Sequence, residues 1–370
     1  MVDGFCSYAA CARPRACHTR ENQYVGENVR HSLALVVALA ATLGFGPAGK
    51  AQTPEQFYTG KDVRVLIGAG VGGTYSLYAQ LAARHMRQYI PGKPNVIMQA
   101  MPGAGGLVGL NYSFNIAPKD GTLMHLVHAE VLYESLLNKD AKFNAQDYHW
   151  IGRFADADSV VLMTRRSAIK TLEDASSREV TLGATGISNV YALGPLMLNR
   201  LAKTRFKIIG GYPGQADISL AMERGELDGS GMTLANAVAT QGEKLKSGDI
   251  VPLFAISARR LSAYPDVPAM TEFGSGPSKT LMEIYASAGT IGRALAFPPG
   301  TPTDRVAAFR EAFQKTINDP VFQDEVRKAN ILISTMSGEA LSAEINRILQ
   351  TPASDLAAAR ALHEELLQTK

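Results

Sequence analysis

The sequence predicts an α/β protein of two lobes, each an open, mostly parallel sheet flanked by helices. Three observations carry this. Short β-rich apolar runs alternate with amphipathic segments from Val63 onward, the alternation starts afresh after residue 155, and four of the runs feed glycine-rich turns that open helices, two in each half. In the first half the order is VRVLI (63–67), a helix over 74–90, NVIMQ (95–99), a helical segment over 105–116 and TLMHLVH (122–128). Within the first helix Leu77, Tyr78, Leu81, Ala82, Met86 and Tyr89 fall at spacings of three and four, which marks them as its buried stripe.

The second half repeats the scheme with VVLMT (160–164), VTLGA (180–184), a helix over 190–202, KIIGG (207–211), a helix over 217–226 and VPLFAIS (251–257). The seam falls near His149–Ala155, and the chain returns to the first lobe around Gly289–Gly300. Residues 52–155 and 286–370 are thus assigned to lobe one and 156–285 to lobe two. Beyond that the chain reads as helical. Thr303 is the expected N-cap of DRVAAFREAFQKTIND, and three more segments opened by Pro or Ser follow; all are expected to pack on lobe one.

The N-terminus reads differently. Arg30 precedes an apolar run from Leu33 to Leu43, with a breaker at Gly46-Pro47 and a Gly49-x-Ala51 ending. The run is shorter than the ~20 residues that span a bilayer, so it reads as a secretory signal cleaved near Ala51. Residues 1–29 are too long for an ordinary leader, and a start placed too far upstream accounts for them. All three cysteines (Cys6, Cys11, Cys17) lie in this segment, so the exported chain has no thiol for a disulfide, a metal or a nucleophile. Of 37 basic and 34 acidic residues, five and three lie within 1–51, which leaves 32 against 31. A charge that balanced excludes nucleic acid as the main partner.

Chemistry must therefore come from backbone groups, hydroxyls, amides and ordinary charges. The four turns are Gly68-Ala69-Gly70-Val71-Gly72-Gly73, Pro102-Gly103-Ala104-Gly105-Gly106, Gly183-Ala184-Thr185-Gly186 and Gly210-Gly211-Tyr212-Pro213-Gly214. Glycine lets backbone N–H groups come close to a ligand, and the helix start behind it carries partial positive charge, so each turn is a potential anion cradle. The ends of strands in open α/β sheets are where such ligands sit. Gly68-x-Gly70-x-x-Gly73 also matches the dinucleotide fingerprint, but that reading needs an acid about 20 residues on for the ribose. None exists: residues 63–119 hold five Lys or Arg and no carboxylate. The same stretch gives lobe one a field that favours an anion.

Catalytic patterns are missing from the sequence. There is no G-x-S-x-G, H-E-x-x-H or G-x-x-x-x-G-K-[ST]. His125 and His128, three apart in a predicted strand, point to opposite faces and cannot chelate one metal. Asp156, Asp158, Asp217 and Asp228 are scattered through turns and form no acid/base pair. No cofactor or metal is expected.

At VLIGAGVGGTYSLYAQLAARHM, NVIMQAMPGAGGLVGLNY with APKDGTLMH, LGATGISN, GGYPGQADISLAMERGELDG, YPDVPAMTEFG and FPPGTPTDRV, six pieces in order, the chain resembles the extracytoplasmic solute receptors of the tripartite tricarboxylate transporter family, the Bug family. The resemblance covers roughly residues 56–350. It implies a periplasmic binding protein type II-like fold whose lobes close like a Venus flytrap on a small di- or tricarboxylate, in a monomeric, non-enzymatic periplasmic protein that serves membrane transporter subunits. It further implies a cradle of Gly72, Gly73, Thr74, Tyr75 and Ser76 with Gly103, Ala104, Gly105 and Gly106, faced by Thr185, Gly186, Ser188 and Asn189 and by Tyr212, Pro213, Gly214 and Gln215. The chain departs from its relatives at Gly70-Val71-Gly72, where many have Pro-Gly-Gly, and at Ser76, where an Asp is common. Losing that acid makes the pocket less hostile to negative charge; Glu130, beyond the third strand, is a candidate replacement. The alternatives are a ligand-binding partner of a signalling system and a secreted hydrolase or lyase.

Overall fold

The computed structural model describes residues 52–368 except Gly72 and Ser188. The expected secretory signal and its expected cleavage near Ala51 lie outside the described residues. Thr53 caps the first helix, α1 (Pro54–Tyr58), in a capping box with Gln56, which aims Phe57 and Tyr58 into the core. There follow β1 (Asp62–Ile67), α2 (Thr74–Met86), β2 (Asn95–Ala100), α3 (Leu107–Asn115), β3 (Leu123–Val127), α4 (Val131–Leu137) and β4 (His149–Arg153). The second half contributes β5 (Ser159–Thr164), α5 (Asp174–Ser177), β6 (Val180–Gly183), α6 (Val190–Leu201), β7 (Phe206–Ile209), α7 (Gln215–Arg224), β8 (Gly229–Thr233), α8 (Leu234–Ser247) and β9 (Ile250–Ile256). The chain ends in α9 (Gly276–Ile291), β10 (Ala294–Phe297), α10 (Thr303–Ile317), α11 (Pro320–Lys328), β11 (Met336–Ser337), α12 (Gly338–Leu349) and α13 (Ala353–Gln368).

Two sheets form, ordered β11-β4-β10-β3-β1-β2 and β7-β6-β8-β5-β9. Strands joined through helices within one half pair in parallel: β1 with β2 and β3, and β6 with β7 and β8. Those reached by crossing between halves run antiparallel, β10 against β3 and β4 and β5 against β8 and β9, so both sheets are mixed. Apolar residues on both faces of the strands explain the near-continuous runs in the sequence. In β5, Val161 and Met163 join one core while Val160 and Leu162 join the other, because alternate side chains leave opposite faces of the strand.

The link between the sheets is a ribbon of two crossing segments. The Phe154 N–H donates to the Arg293 carbonyl at 3.0 Å, the Arg293 N–H to that of Ala155 at 2.8 Å and the Ala157 N–H to that of Gly289 at 3.0 Å. Gly292, at φ 55°, is needed there, since a Cβ would lie 2.0 Å from the Ala155 oxygen. Helix α9 runs unbroken through residues 285 and 286: Leu281 and Tyr285 enter the core of the five-stranded sheet, and Ile291 enters a core beside the six-stranded one.

Three local expectations are corrected. The N-cap of α10 is Pro302, and Thr303 is its first helical residue. Leu77 leaves the buried stripe of α2 and is 37% exposed, because that face of the helix looks across to the second half. The C-terminal helix packs chiefly on lobe two, touching lobe one at Tyr133 and Leu136 of α4. Ala359 and Leu366 of α13 join the core of the five-stranded sheet, and the Tyr285 hydroxyl meets His363 Nδ1 at 2.8 Å. The turn at Thr351-Pro352 sends the chain from α12, which packs on the first sheet, across α9 to the second.

Candidate functional site

The first turn leaves the end of β1 and delivers Thr74 as the opening residue of α2, whose first turn has no acid. The second turn packs directly on it. A Cβ on Gly68 would lie 3.0 Å from Gly106 Cα, and one on Gly106, at φ 100°, would lie 2.7 Å from the His128 ring. Glycine is therefore fixed here by packing of one loop on another. Across from them, Asn189 caps α6 by accepting from the Tyr191 N–H at 2.9 Å. Gln215, at the start of α7, donates through Nε2 to Ser230 Oγ at 3.3 Å, and that hydroxyl donates in turn to the Gly183 carbonyl.

Between the sheets these elements enclose a cavity of about 510 Å³, within the range of small-molecule sites. Thr74, Leu77 and Tyr78 of α2 line one side, Thr185, Asn189, Tyr191, Gln215 and Asn236 the other, and Asp156 and Arg293 the linking ribbon. Residues 329–332 close one edge, held by a hydrogen bond from the Tyr78 hydroxyl to the Leu332 carbonyl at 2.5 Å. A second cavity of about 300 Å³ lies against Gly105, His128, Glu130 and Glu134 on one side and Thr185, Gly186 and Asn189 on the other. Thr185 and Asn189 border both.

Of the residues singled out from sequence, Thr74, Gly105, Thr185, Gly186, Asn189 and Gln215 line these two spaces. Tyr75 and Ser76 are buried in the first half: the Tyr75 hydroxyl accepts from the Ala129 N–H at 2.8 Å, and Ser76 Oγ donates to the Gly70 carbonyl at 3.3 Å. Gly106 faces His128, and Tyr212 packs on the core formed by β5, α7 and α8. Gly73, Gly103, Ala104, Pro213 and Gly214 sit in the turns themselves, outside the lining of either space. Gly72 and Ser188 are among the residues not described. Asp217 lies in the first turn of α7, and Asp228 is bound by Arg178 and Thr181, away from both spaces.

Sequence reasoning missed Arg293. It is the one Lys or Arg lining either space among the described residues. Its guanidinium lies over the Tyr75 ring, 4.3 Å from the centroid, and donates to Thr74 Oγ1 at 3.2 Å. Nothing local to β10 marks it, because its partners are about 220 residues away in the chain. The acid-free stretch does not supply the cleft's charge. Arg84 is taken up by Glu325 of α11, and Arg64 donates to Gln99. His125 is wholly buried within β3 and pulled down to about 3 by burial, so it stays neutral.

The acids are placed in contrast. Burial pushes the Glu130 carboxyl up, but His128, whose Nδ1 lies 2.5 Å from Glu130 Oε2, a backbone hydrogen bond and the Arg293 charge together hold it below the ordinary value, so it stays ionised. Glu134 beside it is pushed up, by burial first and by the Glu130 charge. In the linking ribbon Asp158 is raised to about 6 by burial and by neighbouring Asp156. Among the described residues no cluster of three or more His, Cys, Asp or Glu side chains could hold a metal ion, and no helix is long and apolar enough to cross a membrane.

Comparison with known proteins adds to this geometry. The family model described as "Tripartite tricarboxylate transporter family receptor" matches residues 79–351. A UPF0065 protein of Bordetella bronchiseptica is 24% identical over 314 residues, covering 82% of this chain and 85% of the relative. Among solved structures, a TctC solute binding protein from Polaromonas, crystallised without ligand, superposes with a TM-score of 0.63 at 19% identity, covering 83% of this chain and 99% of that one. MatC from Rhodopseudomonas palustris, with bound malate, superposes with a TM-score of 0.53 at 18% identity, covering 83% and 99%.

Proposed function

Because the chain belongs to the tripartite tricarboxylate transporter receptor family, we propose that it is a periplasmic receptor which captures a small organic carboxylate between its lobes and hands it to membrane transporter subunits. The observation that carries this is the cavity between the two sheets, lined from both halves and containing Arg293. A carboxylate there meets the guanidinium and the helix-start residues Thr74 and Asn189, in a space from which closure removes water. The fold relative MatC holds malate, a ligand of this class. The role is capture without turnover, by a monomer that needs no cofactor.

A carboxylate that binds only the folded protein stabilises it by about 2.7 kcal/mol at a hundred times its Kd. A thermal-shift series over mono-, di- and tricarboxylates is therefore expected to raise Tm for at least one; no response to any of them rejects the reading, and so does conversion of the responding acid. The proposal extends to export with cleavage near Ala51. N-terminal sequencing of secreted protein that still carries Cys17 would refute that part.

A further inference from the structure

The two spaces of the cleft differ in their charged lining: the larger has Arg293 with Asp156, the smaller Glu130 and Glu134 with His128. On the ribbon side stands Arg293, fixed by the Tyr75 ring and Thr74 Oγ1, with no carboxylate in ion-pair contact and no hydrogen-bond partner for its buried Nε among the described residues. Asp156 lines the same space, and its charge also reaches the Arg153 guanidinium. On the other side stand Glu130 and Glu134, where the glycine turn at Gly105 was expected to hold an anion. His128 links the two poles: its ring stacks on Tyr75 at 5.0 Å and its Nδ1 meets Glu130.

We propose that the cleft is bipolar and selects a ligand with a carboxylate at one end, held by Arg293, and an amino group or other cationic donor at the other, held by Glu130 and Glu134. This rests on the carboxylate-receptor reading above and narrows it. A symmetric dicarboxylate can pair one end with Arg293, but its second end meets two acids in a half-enclosed space, where like charges repel more strongly than in water. An amine at the same position turns that repulsion into charge-assisted hydrogen bonds. Thr185 and Asn189, which border both spaces from the opposite lobe, are placed to contact the middle of such a ligand on closure.

The test is calorimetric titration of the purified protein with 4-aminobutyrate and 5-aminopentanoate, with succinate and glutarate as dicarboxylates of matched length, and with butyrate and pentanoate. The amino acid of one length is expected to bind at least tenfold more tightly than its dicarboxylate counterpart. Glu130→Gln should shrink that ratio severalfold while Tm without ligand stays within a few degrees; Arg293→Gln should weaken every acid, and Arg293→Lys should restore part of the loss. Dicarboxylates that bind as well as the amino acids, with a ratio that Glu130→Gln leaves unmoved, overturn the bipolar cleft and leave the carboxylate receptor standing. Failure of every acid to bind, amino acids included, overturns both.

Discussion

The glycine turns of the two lobes look alike in sequence and are used differently. In lobe one they pack on each other, Gly68 against Gly106 and Gly109 against Gly68, and Gly106 also touches the His128 ring. In lobe two neither the 183–186 turn nor the 210–214 turn brings a glycine against the other, and Gly186 and Gly210 have nothing within 4 Å of where a Cβ would stand. Glycine at 68, 103 and 106 of the first lobe is thus dictated by close packing or positive φ, whereas at Gly186 and Gly210, and at Gly70 and Gly73 of the first lobe, the fold itself leaves room. Only at those open positions does a ligand remain a reason for having no side chain.

The contrast is breakable by substitution. Gly106→Ala forces a Cβ into the His128 ring at a φ that L residues avoid, and should cost about 2–4 kcal/mol in chemical denaturation; a loss under about 1 kcal/mol would mean the loops of lobe one adjust freely. Next in size is a pH effect at the ribbon that joins the lobes. Asp158 is raised to about 6 from an ordinary 3.8, so between those values the folded chain holds a proton that the unfolded chain has released, and stability falls as pH rises through that window. The stability gain of Asp158→Asn over wild type should grow from near zero at pH 4 to about 1–3 kcal/mol above pH 6. A flat difference would show that the ribbon solvates this carboxyl.

Smaller changes are expected in lobe two. Gly186→Val should leave stability within about 0.5 kcal/mol and yet abolish the Tm rise given by a binding carboxylate, since the new side chain enters the 300 Å³ space. An intact ligand response there would move the site out of that space. Gly210→Ala, at a φ compatible with any residue, should be neutral or stabilising by up to about 0.5 kcal/mol, read from equilibrium denaturation. A clear loss would mean that the open turns are as constrained as the packed ones.

Much of the fold was legible because it depends on local chemistry. Alternating β runs and amphipathic helices reflect burial on both faces of two sheets. The site was legible only where a turn delivers a residue directly into the cleft, as with Thr74, Thr185, Asn189 and Gln215. Tyr75 and Ser76, adjacent to Thr74, turn inward because successive residues of a helix face different directions, and which direction is inward depends on what packs there.

By itself, then, the sequence determined the two α/β halves, part of their strand and helix order, the glycine turns at the strand ends and the absence of thiol chemistry after residue 51. Tertiary structure alone decided that α13 belongs to the second core, that Arg84 is neutralised by Glu325, and that Arg293 and Glu130 line two neighbouring spaces linked through Tyr75 and His128. The reason is range. Periodicity and capping act over a few residues, whereas the field in a cleft is the sum of charges that the crossing ribbon brings together from positions more than 150 residues apart.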